Sequence, residues 1–177
     1  IDDVRRVMPA YEEAGIGWLE EPFPPQDRRA YKVAASLGRV PLAAGENHYT
    51  RYEFATLLED GHVQFVQPDL SKTGGVTEAM RIAAMASALK LSVNPHTSAT
   101  AVNMATTIHY LCAVDNPGYF EGDVTSLNPF RDQLGDRVVV TAARHPCRRR
   151  TTRLVAGDHP LHRLRCGATD RGRATIA

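Results

Sequence analysis

Glu20, Glu46, Asp69, His96 and Glu121 follow one another at intervals of 26, 23, 27 and 25 residues. Each closes a short, largely apolar run: Ile16-Gly17-Trp18-Leu19-Glu20, Pro41-Leu42-Ala43-Ala44-Gly45-Glu46, Gln64-Phe65-Val66-Gln67-Pro68-Asp69, Leu91-Ser92-Val93-Asn94-Pro95-His96 and Gly118-Tyr119-Phe120-Glu121. Carboxylate oxygens are the ligands that a hard divalent cation prefers. Histidine is the side chain whose ordinary pKa already lies near neutrality. Four acids and one imidazole therefore suit proton transfer beside a bound cation, provided that the fold gathers them.

The interval itself says how they could be gathered. A strand of about five residues, a crossover helix and two loops take roughly 25 to 30 residues, so the chain reads as serial βα units of a parallel sheet. In a (β/α)8 barrel, polar groups ending successive strands converge at the C-terminal mouth. The segments between the runs support helices. Residues 2–14 carry Val4, Val7, Met8 and Tyr11 at spacings of three and four, with Gly15 placed to end the helix. Residues 27–37 read as a helix capped by Asp27 and Gly38, and further helices are predicted over 51–58, 76–89 and 99–113. The strands are apolar on both faces, as a sheet covered by helices on one side and filled by side chains on the other requires.

Five such units fit into this sequence, whereas a closed barrel takes eight strands and about 250 residues. The expected fold class is therefore α/β, the C-terminal part of a TIM-like barrel over residues 1–136, with upstream units outside this sequence. No secretory leader and no run of about 20 apolar residues is visible, so a cytoplasmic protein without membrane contact is expected. The three cysteines, Cys112, Cys147 and Cys166, have neither metal-ligand nor redox spacing.

Residues 137–177 differ in kind. Residues 1–136 hold 11 Lys and Arg against 18 Asp and Glu, a net of −7, whereas 137–177 hold 10 Arg, no Lys, no Glu and two Asp, a net of +8. After Val138-Val139-Val140 neither a helical nor a strand period continues. A basic tail can bind polyanions. A shifted reading frame in a GC-rich gene also yields Arg, Ala, Thr, Gly, His and Pro without lysine. The joint loss of lysine and glutamate favours this second reading, so the tail is expected to be unstructured or frameshifted and nucleic acid is not the expected partner.

Taken together, Trp18-Leu19-Glu20-Glu21-Pro22, Gly45-Glu46-Asn47, Gln67-Pro68-Asp69 followed by Lys72-Thr73-Gly74-Gly75-Val76, Asn94-Pro95-His96 and Phe120-Glu121 resemble the enolase superfamily, in its mandelate racemase subgroup. The resemblance covers residues 1–136, with the motifs in order and at the right intervals. It implies a (β/α)7β barrel, a Mg²⁺ cofactor and abstraction of the proton α to a substrate carboxylate. By this resemblance Glu20 and Glu46 match two metal ligands, Asp69 and His96 an Asp–His dyad, and Glu121 an acid that hydrogen-bonds the substrate carboxylate. The family's first metal ligand and catalytic lysine would precede Ile1. The expected substrate is a small carboxylate, an acid sugar undergoing dehydration, and the expected full-length form is a homo-oligomer. Alternatives are a racemase or epimerase of a 2-hydroxy acid, and a non-catalytic remnant or binding protein.

The residue types also make chemical sense on their own. Removing a proton next to a carboxylate creates a dianionic enediolate, whose charge a divalent cation on oxygen ligands would neutralise. A neighbouring carboxylate such as Asp69 would fix the tautomer of His96 and raise its basicity. Asn47 and His48, just after Glu46, are candidates to contact substrate hydroxyls. Blander assignments stand beside these. Asp69 could be only the N-cap of the following helix, His96 a satisfied buried histidine, and Glu21 a salt-bridged or solvated residue that Pro22 turns away from the site. His62 and His109 are expected to be structural, and Lys72 with Gly74-Gly75 lacks the spacing of a phosphate loop.

Overall fold

The computed structural model describes residues 1–97, 100–123 and 125–132, together with the backbone of 163–164 and 174–176. Helices and strands alternate as α1 (Asp2–Glu13), β1 (Leu19–Glu20), α2 (Arg28–Ala35), β2 (Leu42–Ala44), α3 (Thr50–Asp60), β3 (Phe65–Val66), α4 (Gly75–Ala88), β4 (Ser92–Val93), α5 (Ala101–Ala113) and β5 (Tyr119–Phe120). Strands β1 to β4 lie side by side in chain order and all pair in parallel, with Leu19 opposite Leu42, Ala43 opposite Phe65 and Val66 opposite Val93. A parallel bridge from Val93 to Pro117 carries the arc on to β5. The βα reading of the sequence and its strand order therefore hold.

Helix boundaries fall within about two residues of those predicted, and the physical reasons can be named. Gly15 lies just past α1 at φ +67, a left-handed conformation that stops a helix. Asp27 caps α2 by accepting from the amide of Ala30 at 3.0 Å. Gly38, however, is not the cap at the other end: Ser36 holds that place in a right-handed conformation. A Cβ on Gly38 would stand 2.5 Å from Cγ of Met8, so this glycine lets α1 seat its buried methionine against the turn.

The helices cover one side of the sheet. Ala79, Ile82, Ala83 and Ala86 form the buried stripe of α4, at helical spacing, and the small size of the three alanines lets the helix lie close to the sheet, where Val66 and Val93 are fully buried. Phe54 of α3 is also fully buried. Burying such a large apolar side chain stabilises the fold by about 2 kcal/mol. On the other side, Trp18 stacks at 5.0 Å from Phe65 and 5.5 Å from Tyr119. These three come from the lead-in to β1, from β3 and from β5, the alternate-strand layering of a barrel interior.

Two further strands, β6 (Arg163–Leu164) and β7 (Ala174–Ile176), continue from β5: β7 pairs with β5 in parallel and with β6 in antiparallel fashion. Otherwise the tail, read from the sequence as unstructured or frameshifted, lies outside the described residues. Cys112, near the end of α5, is disulfide-bonded, which the spacing of the cysteines did not announce. Among the described residues no helix is long and apolar enough to cross a membrane.

Candidate active site

Because the strands run in one direction, whatever follows their last residues shares one edge. Glu20 ends β1, Glu46 stands two residues past β2, Asp69 and His96 three past β3 and β4, and Glu121 one past β5. The turn into Glu46 depends on Gly45, at φ +147. A Cβ there would lie 2.7 Å from the carbonyl carbon of Gln67, so only glycine lets the chain cross behind the end of β3.

Asp69 is fully buried and its carboxylate is saturated. Oδ1 accepts from the amide of Ser71 at 2.8 Å, the hydroxyl of Ser71 at 2.6 Å and Nδ2 of Asn103 at 3.2 Å, while Oδ2 meets Nδ1 of His96 at 2.8 Å. Burial alone would raise its pKa, but the bonds from His96 and Ser71 outweigh that and bring it down to about 2. Asp69 is thus an anion at neutral pH. The N-cap of α4 is Gly74, in the left-handed region, so the reading of Asp69 as a helix cap is corrected.

An ionised Asp69 makes Nδ1 of His96 the donor and leaves Nε2 facing the other way. Nε2 lies 3.0 Å from Oε2 of Glu46. Burial would lower the pKa of His96, but the bond to Asp69 and the charges of Glu46, Glu121 and Asp69 raise it. The imidazole is therefore held between two carboxylates, Asp69 past the adjacent strand β3 and Glu46 past β2, one strand further along the sheet.

Glu121 completes the group from β5. Its backbone carbonyl accepts from the hydroxyl of Thr97, next to His96. Burial pushes its pKa up, His96 opposes this, and the charges of Glu20, Glu46 and Asp69 add to the rise. Its Oε2 is buried and has no hydrogen-bond partner among the described residues. Glu20 accepts from Nε1 of Trp18 at 3.0 Å. Lys72 reaches Oε1 of Glu46 at 3.5 Å, so the loop dismissed as a phosphate site contributes a cation to the cluster.

Asn47 and His48 separate. The Asn47 amide is spent on carboxylates, donating to Oε2 of Glu21 at 2.5 Å and to Oε1 of Glu46 at 3.1 Å. His48 is buried, its pKa lowered by that burial, and with Asn47 it lines a cavity of about 460 Å³ between α2 and α3. Three supporting residues are not among the site candidates of the sequence reading, in which Glu21 is a bland loop residue. Glu21 binds the Glu46 loop, Asn103 braces Asp69, and Asn94 clamps β5 by accepting from the amide of Tyr119 at 2.8 Å. For Asn94 a signal was present, since a polar residue ended an apolar strand just before Pro95-His96.

Among the described residues, no three His, Cys, Asp or Glu side chains are grouped to hold a metal ion. The donor chemistry nonetheless suits a hard cation. Glu20, Glu46 and Asp69 all act electrostatically on Glu121, with His96 opposing them, and Glu20 and Glu46 present oxygens at the ends of adjacent strands.

Residues 1–146 match the family described as enolase C-terminal domain-like. A member of the enolase superfamily from Polaromonas sp. JS666, known from its crystal structure, is 56% identical, with a TM-score of 0.74, over 76% of this chain and 36% of that one. The 3,6-anhydro-D-galactonate cycloisomerase of Zobellia galactanivorans is 31% identical, with a TM-score of 0.70, over 75% of this chain and 37% of that one. The D-galactonate dehydratase of Ralstonia pickettii (strain 12J) is 38% identical over 92 residues, which are 52% of this chain and 24% of the dehydratase. The chain thus spans about a quarter of the length of the curated relatives that it matches. Its serial parallel βα units, its gathered strand-end acids and these similarities agree: the chain belongs to the enolase C-terminal domain-like family, as part of a TIM-like barrel.

Proposed function

We propose that this chain supplies the proton-abstracting side of a Mg²⁺-dependent acid-sugar dehydratase. The observation that carries the reading is the line Asp69–His96–Glu46, at 2.8 and 3.0 Å, which fixes one imidazole nitrogen and turns the other toward a carboxylate suited to a cation. Glu20 and Glu46 would hold Mg²⁺, which when bound neutralises the charge that grows on the substrate carboxylate.

The remaining roles belong to the side chains. Asp69 keeps the proton on Nδ1, so that Nε2 of His96 takes the hydrogen from the carbon next to the carboxylate. Glu121, pushed toward its protonated form by burial, donates to the substrate carboxylate. The bond from the adjacent carbon to its hydroxyl then breaks, a carbon–carbon double bond forms, and His96 returns its proton so that water leaves. The similarity to D-galactonate dehydratases supports an acid sugar as the substrate class.

The test is a chimera in which residues 1–132 replace the matching segment of the Polaromonas sp. JS666 protein. With Mg²⁺ and a panel of aldonic acids in D2O, a 2-keto-3-deoxy acid carrying deuterium at C3 should accumulate, and recovered substrate should carry deuterium at the α-carbon. Exchange with inversion and no loss of water would show a racemase instead. A folded chimera that exchanges no α-proton on any member of the panel would overturn the reading.

A further inference from the structure

Glu21 stands beside the candidate cation ligand Glu20, yet its side chain serves the next strand end. Oε1 accepts from the amides of Gly45 and Asn47, both at 3.3 Å, and Oε2 accepts from Nδ2 of Asn47 at 2.5 Å. Glu46 lies between the two residues whose amides are held. Nδ2 of Asn47 also donates to Oε1 of Glu46 at 3.1 Å, so both amide hydrogens can be placed on carboxylates, one on each. Without that bridge the two like charges would repel one another.

The backbone of Glu21 adds a second observation. Its φ is +33, a strained conformation that a side chain with a Cβ rarely adopts. The same residue donates its amide to the carbonyl of Ala43 at 3.0 Å, which prolongs the β1–β2 ladder to the edge of the site. Strain of this kind persists where surrounding bonds over-determine it, and here the three bonds from the 45–47 turn do so.

We infer that Glu21 is a positioning residue: through Asn47 and the turn amides it sets the direction of the Glu46 carboxylate, and thereby the affinity of the site for a divalent cation. The inference rests on the reading of Glu46 as a cation ligand. A clamp that served stability alone would not need to grip the ligand's immediate neighbours on both sides while also passing a hydrogen bond to the ligand itself.

The experiment compares Glu21→Ala, Glu21→Gln, Asn47→Ala and the Glu21→Ala/Asn47→Ala double variant in the chimera described above. Two quantities are read: amide hydrogen exchange at Gly45 and Asn47, and Mg²⁺ affinity by calorimetry with the metal alone. Glu21→Ala should speed exchange at both amides and weaken Mg²⁺ binding about 10- to 100-fold. Glu21→Gln, which keeps one acceptor but cannot receive the Asn47 amide at the other, should fall between. The double variant should bind no more weakly than the weaker single one, because both act through one network. Arg28→Ala, which breaks the Arg28–Asp60 pair on the helices, should lower the melting temperature and leave both readouts in place. A Glu21→Ala variant that melts earlier but keeps its exchange pattern and its Mg²⁺ affinity, in a parent that binds Mg²⁺, would overturn the inference alone. A parent that binds no Mg²⁺ would overturn the cation reading and the inference with it.

Discussion

His96 Nδ1 and Asp69 Oδ2 meet at 2.8 Å across 27 residues of sequence, and Ser71 and Asn103 occupy Oδ1 of the same carboxylate. A carboxylate so fully engaged cannot rotate away from the ring, and it holds the imidazole in one tautomer. If Nε2 is the base, His96→Asn in the chimera should lower kcat by about 10²- to 10⁴-fold and abolish entry of solvent deuterium at the α-carbon. Folding should persist, because asparagine can still donate toward Asp69. Exchange that survives in the variant would point to another base.

Asp69→Asn should act in the same direction by a smaller factor, because Asp69 orients the base without touching the substrate. It also carries a pH signature. The folded carboxyl titrates at about 2 against 3.8 when free, so its contribution to stability is present above about pH 4 and is lost as pH falls toward 2. The shift corresponds to about 2 kcal/mol. The gap in melting temperature between the parent and Asp69→Asn should accordingly narrow as the pH is lowered from 5 to 2. A gap that stays constant would show that the carboxylate's charge contributes nothing to the fold.

Gly45→Ala tests the crossing of β2 and β3. The new methyl would meet the backbone of Gln67 at 2.7 to 2.8 Å, in a conformation at φ +147 that alanine avoids. Backbone cannot step aside as a flexible side chain can. A loss of about 3 kcal/mol is expected, read as a lower denaturation midpoint at unchanged slope. A loss below about 1 kcal/mol would mean that the crossing relaxes easily.

Gly118→Ala and Asn94→Ala probe one contact from both sides. A Cβ at Gly118 would fall 2.0 Å from Oδ1 of Asn94, the atom that accepts from the amide of Tyr119 at 2.8 Å. Either change should release β5 from β4 and cost about 1 to 2 kcal/mol. Hydrogen exchange at Tyr119 should rise in both variants. If Asn94→Ala leaves that amide protected, the bridge at Val93 and Pro117 suffices on its own.

Much of this arrangement could be read from the chain because parallel strands convert a sequence interval into a common edge. Glu20, Glu46, Asp69, His96 and Glu121 each follow an apolar run, and the period alone brought them together. Their supports were hidden for a physical reason. Asn103 sits inside α5, where its neighbours say only that it is helical, and its partner Asp69 is 34 residues away. Glu21 looked like a solvated loop residue because its three donors lie across a turn whose path depends on Gly45. Gly38 was read as a cap from its place after a helix, whereas the structure uses its missing side chain to admit Met8. Local pattern reports periodicity and termini; it carries no record of which distant group will come within 3 Å.

Trp18 is the only tryptophan in the 177 residues, and its indole N–H is bonded to Glu20 at 3.0 Å while its ring rests against Phe65. The molecule thus carries a native optical gauge wired to one carboxylate of the rim. A cation that draws electron density from Glu20, or a substrate that reorients it, must change the environment of the one residue that dominates ultraviolet emission. Occupancy of this edge can therefore be followed by titration in plain buffer, without a label, a coupled assay or any turnover.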